Sequence, residues 1–234
     1  MPTFAVAVLT ATPPGAQAPG FQVSDSTPGL LKVGDRESLL RAVDLLTNHP
    51  DIAQSFVAFL PDDAAEAKRK HGANLSFSGF KAVEGADWFQ QAAAVLAALA
   101  AEVTHVVLHD AARPAVGGDE AQALLAEAAK VEAVALAGVP DGPLVTVDEA
   151  GMPTGLAPAV RVLATPMAFS REAFEAYVEQ KDGFDLRRFS LQQTGRYNVR
   201  VTDGPSAKFA KNMLQLVPGK KKSAAFSPFD EAQW

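Results

Sequence analysis

The sequence predicts an α/β fold, a mostly parallel sheet flanked by helices. Short Val-rich apolar runs that do not alternate fit strands buried on both faces, and Ala/Leu/Glu stretches of helical period separate them. Size agrees: a chain of 234 residues, 48% hydrophobic, can bury a core as one domain, expected over residues 1–218 with a tail at 219–234.

Each element has a local reason. Residues 4–9 form a first strand, apolar throughout. Residues 37–47 read as a helix, with Leu39, Leu40, Val43 and Leu46 on one face and Asp35 as the candidate N-cap. A strand at 55–60 is stopped by Pro61, and a short polar helix follows at 62–70. A strand at 75–83, an Ala-rich helix at 88–101 and a strand at 103–109 come next, then a helix at 120–130 and a strand at 133–139. Such β-α-β units wind right-handed and leave a crevice at the carboxyl ends of the strands.

From Pro140 the pattern changes. LVTVDEAGMPTG alternates and turns at Glu149-Ala150-Gly151, which predicts a β-hairpin arm within about 140–163. A helix at 170–179 and strands near 199–201 and 213–217 complete the expectation, and Lys220, Lys221 and Lys222 read as a solvated run.

Composition excludes several classes. A formal charge of -6 argues against a nucleic-acid footprint, so a phosphate-bearing partner is expected to be a small molecule. The absence of cysteine removes thiolate catalysis, Cys-ligated zinc and disulfides. The start, MPTFAVAVLTATPPG, lacks the basic region of a signal peptide, and no run reaches the roughly 18 apolar residues of a membrane span. A cytoplasmic protein is expected.

The stretch VVLHDAARP carries the chemistry, because it ends a buried strand in an acid, two alanines, a base and a proline. A carboxylate at Asp110 can hold a sugar hydroxyl or a metal ion, and the Arg113 guanidinium can grip phosphate bidentately. Ala111 and Ala112 let a ligand approach the backbone, and the whole suits a phosphorylated polyol with magnesium. The same spacing equally suits an Asp110 that satisfies loop amides and pairs with Arg113. On the first reading Asp110→Asn abolishes acceptor chemistry and spares the fold.

HDAARP after an apolar strand resembles the signature of the 2-C-methyl-D-erythritol 4-phosphate cytidylyltransferases and their ribitol phosphate relatives. LLKVGDRESLLRAVDLL, VEGADWFQQAAAVLAALA, VPDGPLVTV, ATPMAF and SAKFA resemble later segments of that family in order, so the likeness spans about residues 4–211. The resemblance implies a Rossmann-like fold of the nucleotide-diphospho-sugar transferase type and transfer of CMP from CTP, or of another nucleotide, to a polyol phosphate with magnesium. It also implies a homodimer held through the hairpin arm. Carried over residue by residue, it gives Asp110 to the acceptor or the metal, Arg113 to the acceptor and Lys208 to the phosphates. Thr165 and Arg161 go to the acceptor phosphate; Ala11, Thr12, Lys32, Gly85, Asp87 and Ala111 go to the nucleotide. Without the resemblance, Asp87 is most simply a helix N-cap and Lys208 a surface lysine.

The chain departs from the family's Pro-Ala-Ala-Gly-x-Gly-x-Arg-Met opening. Between Thr10 and Leu31 it has no basic residue, and Lys32 and Arg36 are the nearest cations. Losing one preorganised phosphate-binding group typically costs about 10²–10³ in rate. The family's closing Thr-x-Pro-x-Asp and its helix also have no counterpart in this reading. A homologue that binds a ligand or partner without turnover is therefore a second expectation.

Overall fold

A computed structural model describes residues 2–16, 27–46, 51–140, 144–148, 150, 152–157 and 160–217. Its centre is a seven-stranded sheet built on β1 (Phe4–Leu9), whose six residues are all buried. β4 (Ile52–Phe59) and β6 (His105–Asp110) flank β1 in parallel, and β5 (Phe80–Glu84) extends the sheet beyond β4. On the other side β10 (Val162–Ser170) runs antiparallel between β6 and β7 (Ala133–Gly138), and β11 (Phe189–Gln193) closes the edge parallel to β7. The β10 register against β7 shifts between Ala164 and Met167, where Pro166 has no N–H to give the ladder.

Helices cover both faces. One apolar cluster joins α1 (Ser38–Leu46), α2 (Pro61–Phe77) and α4 (Gly118–Ala128) to the sheet; the other joins α3 (Trp88–Ala97) and α5 (Arg171–Gln180) to its opposite face. Phe169 anchors the second cluster through ring contacts with Phe174, Tyr177, Phe184 and Phe189. Among the described residues no helix is long and apolar enough to cross a membrane.

Several expectations change. α2 continues to Phe77, so the strand expected from residue 75 begins at Phe80, after Gly79 turns at φ 77°. A two-residue hairpin, β2 (Lys32–Val33) with β3 (Arg36–Glu37), precedes α1; Asp35 accepts from Arg41 instead of capping the helix. The strands β10 and β11 have no counterpart among the expectations. Residues 199–201 form no strand, and 213–217 fall at the end of α6 (Gly204–Met213) and in a 3-10 turn. α6 is a closing helix the sequence reading lacked, opened by an Asp203 side chain that accepts from Ser206 N at 2.8 Å. β8 (Val145–Val147) and β9 (Pro153–Leu156) pair as an antiparallel arm. Most of the turn expected at 149–151 and the tail at 219–234 lie outside the described residues.

Gly72 lies inside α2 with nothing within 4 Å of an added Cβ. Gly72→Ala is expected to raise the unfolding free energy by about 0.5–1 kcal/mol, because it removes unfolded-state freedom at no steric cost. Urea titration of both chains reads the change.

Candidate functional site

The loop that follows β6 is held from every side by its own residues and their neighbours. Ala111 N donates to Leu9 O at 2.8 Å and Ala112 N to the Asp110 carboxylate at 2.9 Å. Ser38 Oγ donates to Ala111 O at 2.6 Å, and Val201 N to Ala112 O at 2.7 Å. His109, fully buried, meets Arg113 O at 3.0 Å through Nε2; a carbonyl only accepts, so Nε2 carries the proton. Burial depresses the His109 pKa to about 4, against the raising influence of Asp110, so the ring is neutral at pH 7. Among the described residues its Nδ1 has no hydrogen-bond partner.

Asp110 has no exposure to solvent, and its carboxylate is shared between cations. Arg200 Nε donates to it at 2.7 Å, and Arg113 Nε stands 4.0 Å away. Arg113 also donates to Asn198 O at 2.7 Å, while among the described residues its Nε has no hydrogen-bond partner. Burial lowers the Arg113 pKa; Asp110 raises it, and Arg200 lowers it again. Two guanidiniums against one carboxylate leave one net positive charge. Such a place receives an anion.

Arg200 reaches further, donating to Thr12 Oγ1 at 3.0 Å. It therefore bridges the loop after β6 to the loop after β1, where the sequence has no basic residue. Asn198 fixes this segment by donating to Thr165 O at 3.0 Å and Thr194 Oγ1 at 3.2 Å. Glu120 holds the same segment through Gly195 N at 2.7 Å. Thr165 in turn accepts from Asp110 N at 3.0 Å, so β6 and β10 are pinned at the site.

Beside these groups lies a cleft of about 630 Å³. Arg113, Thr165, Lys181, Arg200 and Thr202 line it, together with Pro13 to Ala16 and an apolar wall that includes Phe89, Met167 and Phe184. Among the described residues its cations are Arg113, Lys181 and Arg200, with Asp182 beside Lys181.

The residues singled out from sequence divide into those that meet here and those that do not. Asp110, Arg113, Thr165, Ala111 and Thr12 converge. The Asp110 carboxylate, however, is occupied by a loop amide and guanidiniums, as the alternative reading had it, and is not free for a hydroxyl or metal in this conformation. Ala11 N donates to Gln91 Oε1 at 3.1 Å, and Gln91 Nε2 donates to Gly85 O at 3.2 Å, so buried Gln91 ties the β1 loop to the Gly85 segment. Gly85 allows this closeness, since an added Cβ would stand 2.4 Å from Gln91 N. Asp87 is the N-cap of α3, accepting from Gln90 N at 2.8 Å.

Lys208 is exposed on α6, Arg161 is exposed and donates to its neighbour Val160 O, and exposed Lys32 lies on β2; among the described residues none of the three lines the cleft. Arg36 is paired with Asp44. Arg200 was missed. Its signal is in the sequence: SAKFA stands for the Asn-Ile-Lys-Ile-Thr stretch of the family it resembles, and Asn198-Val199-Arg200-Val201-Thr202 fits that stretch better, with Arg for Lys. Thr202 accordingly lines the cleft, and Ser206 Oγ accepts from its backbone N–H at 2.8 Å.

No cluster of three or more His, Asp or Glu side chains forms a metal site among the described residues. The donors at hand do not fit a protein-held magnesium ion, which takes oxygen ligands from free carboxylates.

Comparisons with known proteins bear on the family and the fold. The profile of the 2-C-methyl-D-erythritol 4-phosphate cytidylyltransferases matches residues 7–208. The 4-diphosphocytidyl-2C-methyl-D-erythritol synthase of Anaerococcus prevotii superposes with TM-score 0.73 at 18% identity, covering 92% of this chain and 96% of its own. The 2-C-methyl-D-erythritol 4-phosphate cytidylyltransferase of Thermus thermophilus superposes with TM-score 0.64 at 21% identity, covering 92% and 100%. At these identities the structures establish a shared fold. No curated protein sequence matches.

Two outcomes test the site. Asp110→Asn leaves two buried guanidiniums short of their counter-charge, so it is expected to destabilise by about 3–5 kcal/mol, measured by urea unfolding, in place of the neutral effect anticipated from sequence. For His109 the folded pKa lies below the unfolded one, so the unfolded chain binds more protons between about pH 6.5 and pH 4, and stability falls as pH drops through that window. His109→Gln, which retains an N–H donor, is expected to flatten that slope by up to about 1.4 kcal/mol per pH unit, read as the difference between two series of unfolding curves.

Proposed function

Because this chain belongs to the 2-C-methyl-D-erythritol 4-phosphate cytidylyltransferase family, as the match over residues 7–208 shows, we propose that it transfers a nucleotidyl group to a phosphorylated alcohol. In this reading CTP and a polyol phosphate yield a CDP-polyol and pyrophosphate. The observation that carries it is the convergence of Arg113 and Arg200 on Asp110 beside the cleft, with one positive charge in excess. Attack of the acceptor phosphate on the α-phosphorus gathers negative charge on oxygens, and fixed cations stabilise that charge more than they stabilise separate substrates.

The roles follow from placement. Arg113 receives the acceptor phosphate, because its side chain lines the cleft beside Arg200. Arg200 takes the phosphate-neutralising part that the resemblance gives to Lys208, because it lines the cleft and reaches Thr12 on the β1 loop. Asp110 orients both guanidiniums and is a positioning residue. Ala11, Gly85 and Ala111 supply backbone against the nucleotide, and buried Gln91 sets their spacing. Magnesium belongs to this reading only as the counter-ion of the triphosphate, and no step is assigned to it. A homodimer through the arm of β8 and β9 would bring the partner's arm, where Arg161 stands, toward the acceptor.

One observation favours a second reading. The stretch from Thr10 to Leu31 carries no cation, and Arg200 replaces only part of what a basic loop supplies. A protein that binds the same ligands without turnover satisfies this equally.

Pyrophosphate release with magnesium, CTP and 2-C-methyl-D-erythritol 4-phosphate, repeated with other nucleotides and with ribitol phosphate, separates the two. Acceptor-dependent release establishes the transferase, and none from a folded protein establishes the binding relic. In an active protein Arg200→Ala is expected to lower the rate by about 10²–10³, and Lys208→Ala to leave it within about twofold. Equal losses in the two variants would return the role to Lys208.

A further inference from the structure

Residues 194–203, between β11 and α6, form no helix or strand, yet they carry Arg200 and Thr202 to the cleft. A row of hydrogen bonds runs from Arg113 through this segment to α4. Arg113 Nη1 donates to Asn198 Oδ1 at 3.4 Å, Asn198 Nδ2 to Thr194 Oγ1 at 3.2 Å, and Thr194 Oγ1 to Glu120 Oε2 at 3.3 Å. The directions are forced. Asn198 Nδ2 also meets Thr165 O at 3.0 Å, and a carbonyl only accepts, so Oδ1 faces Arg113 and the Thr194 hydroxyl directs its proton to Glu120. Thr194 and Asn198 are both buried, and bonds aligned in this way from a cation to an anion polarise one another.

Glu120 does more than cap its helix. At the third position of α4 it accepts from Gly117 N at 3.1 Å, the usual return of a capping glutamate, while its other oxygen accepts from Gly195 N at 2.7 Å. Tyr197 lies across both glycines: an added Cβ would stand 2.3 Å from its ring at Gly195 and 3.2 Å from its hydroxyl at Gly117. Burial and a hydrogen bond to Glu120 push the Tyr197 pKa up to about 12, so the ring stays neutral. Both carboxylate oxygens are thus used by donors. Glutamine has the same shape, but it must turn its NH2 either toward Gly195 N–H or toward Gly117 N–H and the Thr194 hydroxyl. The first choice loosens the segment, and the second removes the acceptor that sets the direction of the row.

We infer that Glu120 is a positioning residue of the anion site, its carboxylate fixing the place of Arg113 and Arg200 through Thr194 and Asn198. The inference rests on the reading above in treating those two guanidiniums as the groups that receive phosphate.

Calorimetric titration of the full chain with inorganic phosphate tests it, with folding of each variant checked by urea titration. Glu120→Gln is expected to raise the dissociation constant about tenfold and Thr194→Val, which leaves the α4 cap alone, about fivefold. Because both act on one row, the double variant is expected within about twofold of Glu120→Gln. Tyr197→Phe, which loosens the same knot without touching the row, is expected to lower stability and leave phosphate affinity within about twofold. Unchanged affinity in folded Glu120→Gln, an equal loss in Tyr197→Phe, or additive losses in the double variant overturns the inference. A parent chain that binds no phosphate removes the anion site and the inference with it. The expected affinities in a protein without turnover keep the inference and remove the transferase. Acceptor-dependent pyrophosphate release whose kcat and KM are unchanged by Glu120→Gln removes the inference and keeps the transferase.

Discussion

A carboxylate shut away from water, Asp110, lies between two guanidinium groups at the end of β6, and the site is arranged around that contact. Burying a lone carboxylate costs several kcal/mol, so its partners must arrive with it. Arg200 comes from the segment before α6, 90 residues along the chain, and Arg113 from the same loop. Their requirement for one carboxylate draws the chain after β11 against the strand ends. Asn198 and Glu120 hold it there through neutral and charged hydrogen bonds.

The sheet makes this possible through β10. By running antiparallel between β6 and β7, it breaks the parallel order and brings Thr165 beside the amide of Asp110. The strand order turns back at β1, with β4 on one side and β6 on the other, and such switch points open crevices at the carboxyl ends of the strands; here the crevice is bounded by β10 on one side and the β1 loop on the other. The core and the site thus share residues: Met167 packs in the apolar cluster and also lines the cleft.

Much of this was legible. β1, β6 and β7 are buried on both faces, so their unbroken apolar runs identify them without tertiary information. β10 was not, because Pro166 within Ala164-Thr165-Pro166-Met167 argues against a central strand, and only the register shift accommodates it. β11 has the weak pattern Phe-Ser-Leu-Gln-Gln of an edge strand. At the site, HDAARP named the right loop, since a local motif fixes local geometry. It left the use of Asp110 open, because the deciding partner, Arg200, is distant in sequence. Arg200 is hidden from a pattern that demands lysine, because the site needs only a cation flanked by Asn198 and Thr202.

Gly29 touches Ala111 so closely that a Cβ on it would fall 2.6 Å from the alanine's own. Leu9 is bonded to the same Ala111, so the segment leaving β1 returns to within one residue of its departure point. Its two ends are clamped independently of what lies between, at Ala111 and through Thr27 to Asp63. A segment clamped this way is a replaceable cassette, because doubling its length costs only about 0.6 kcal/mol in closure entropy. This chain's cationless version and a basic, glycine-rich one can therefore occupy the same socket. The frame around β1 thus fixes where the segment leaves and returns, at Ala111 and at Asp63.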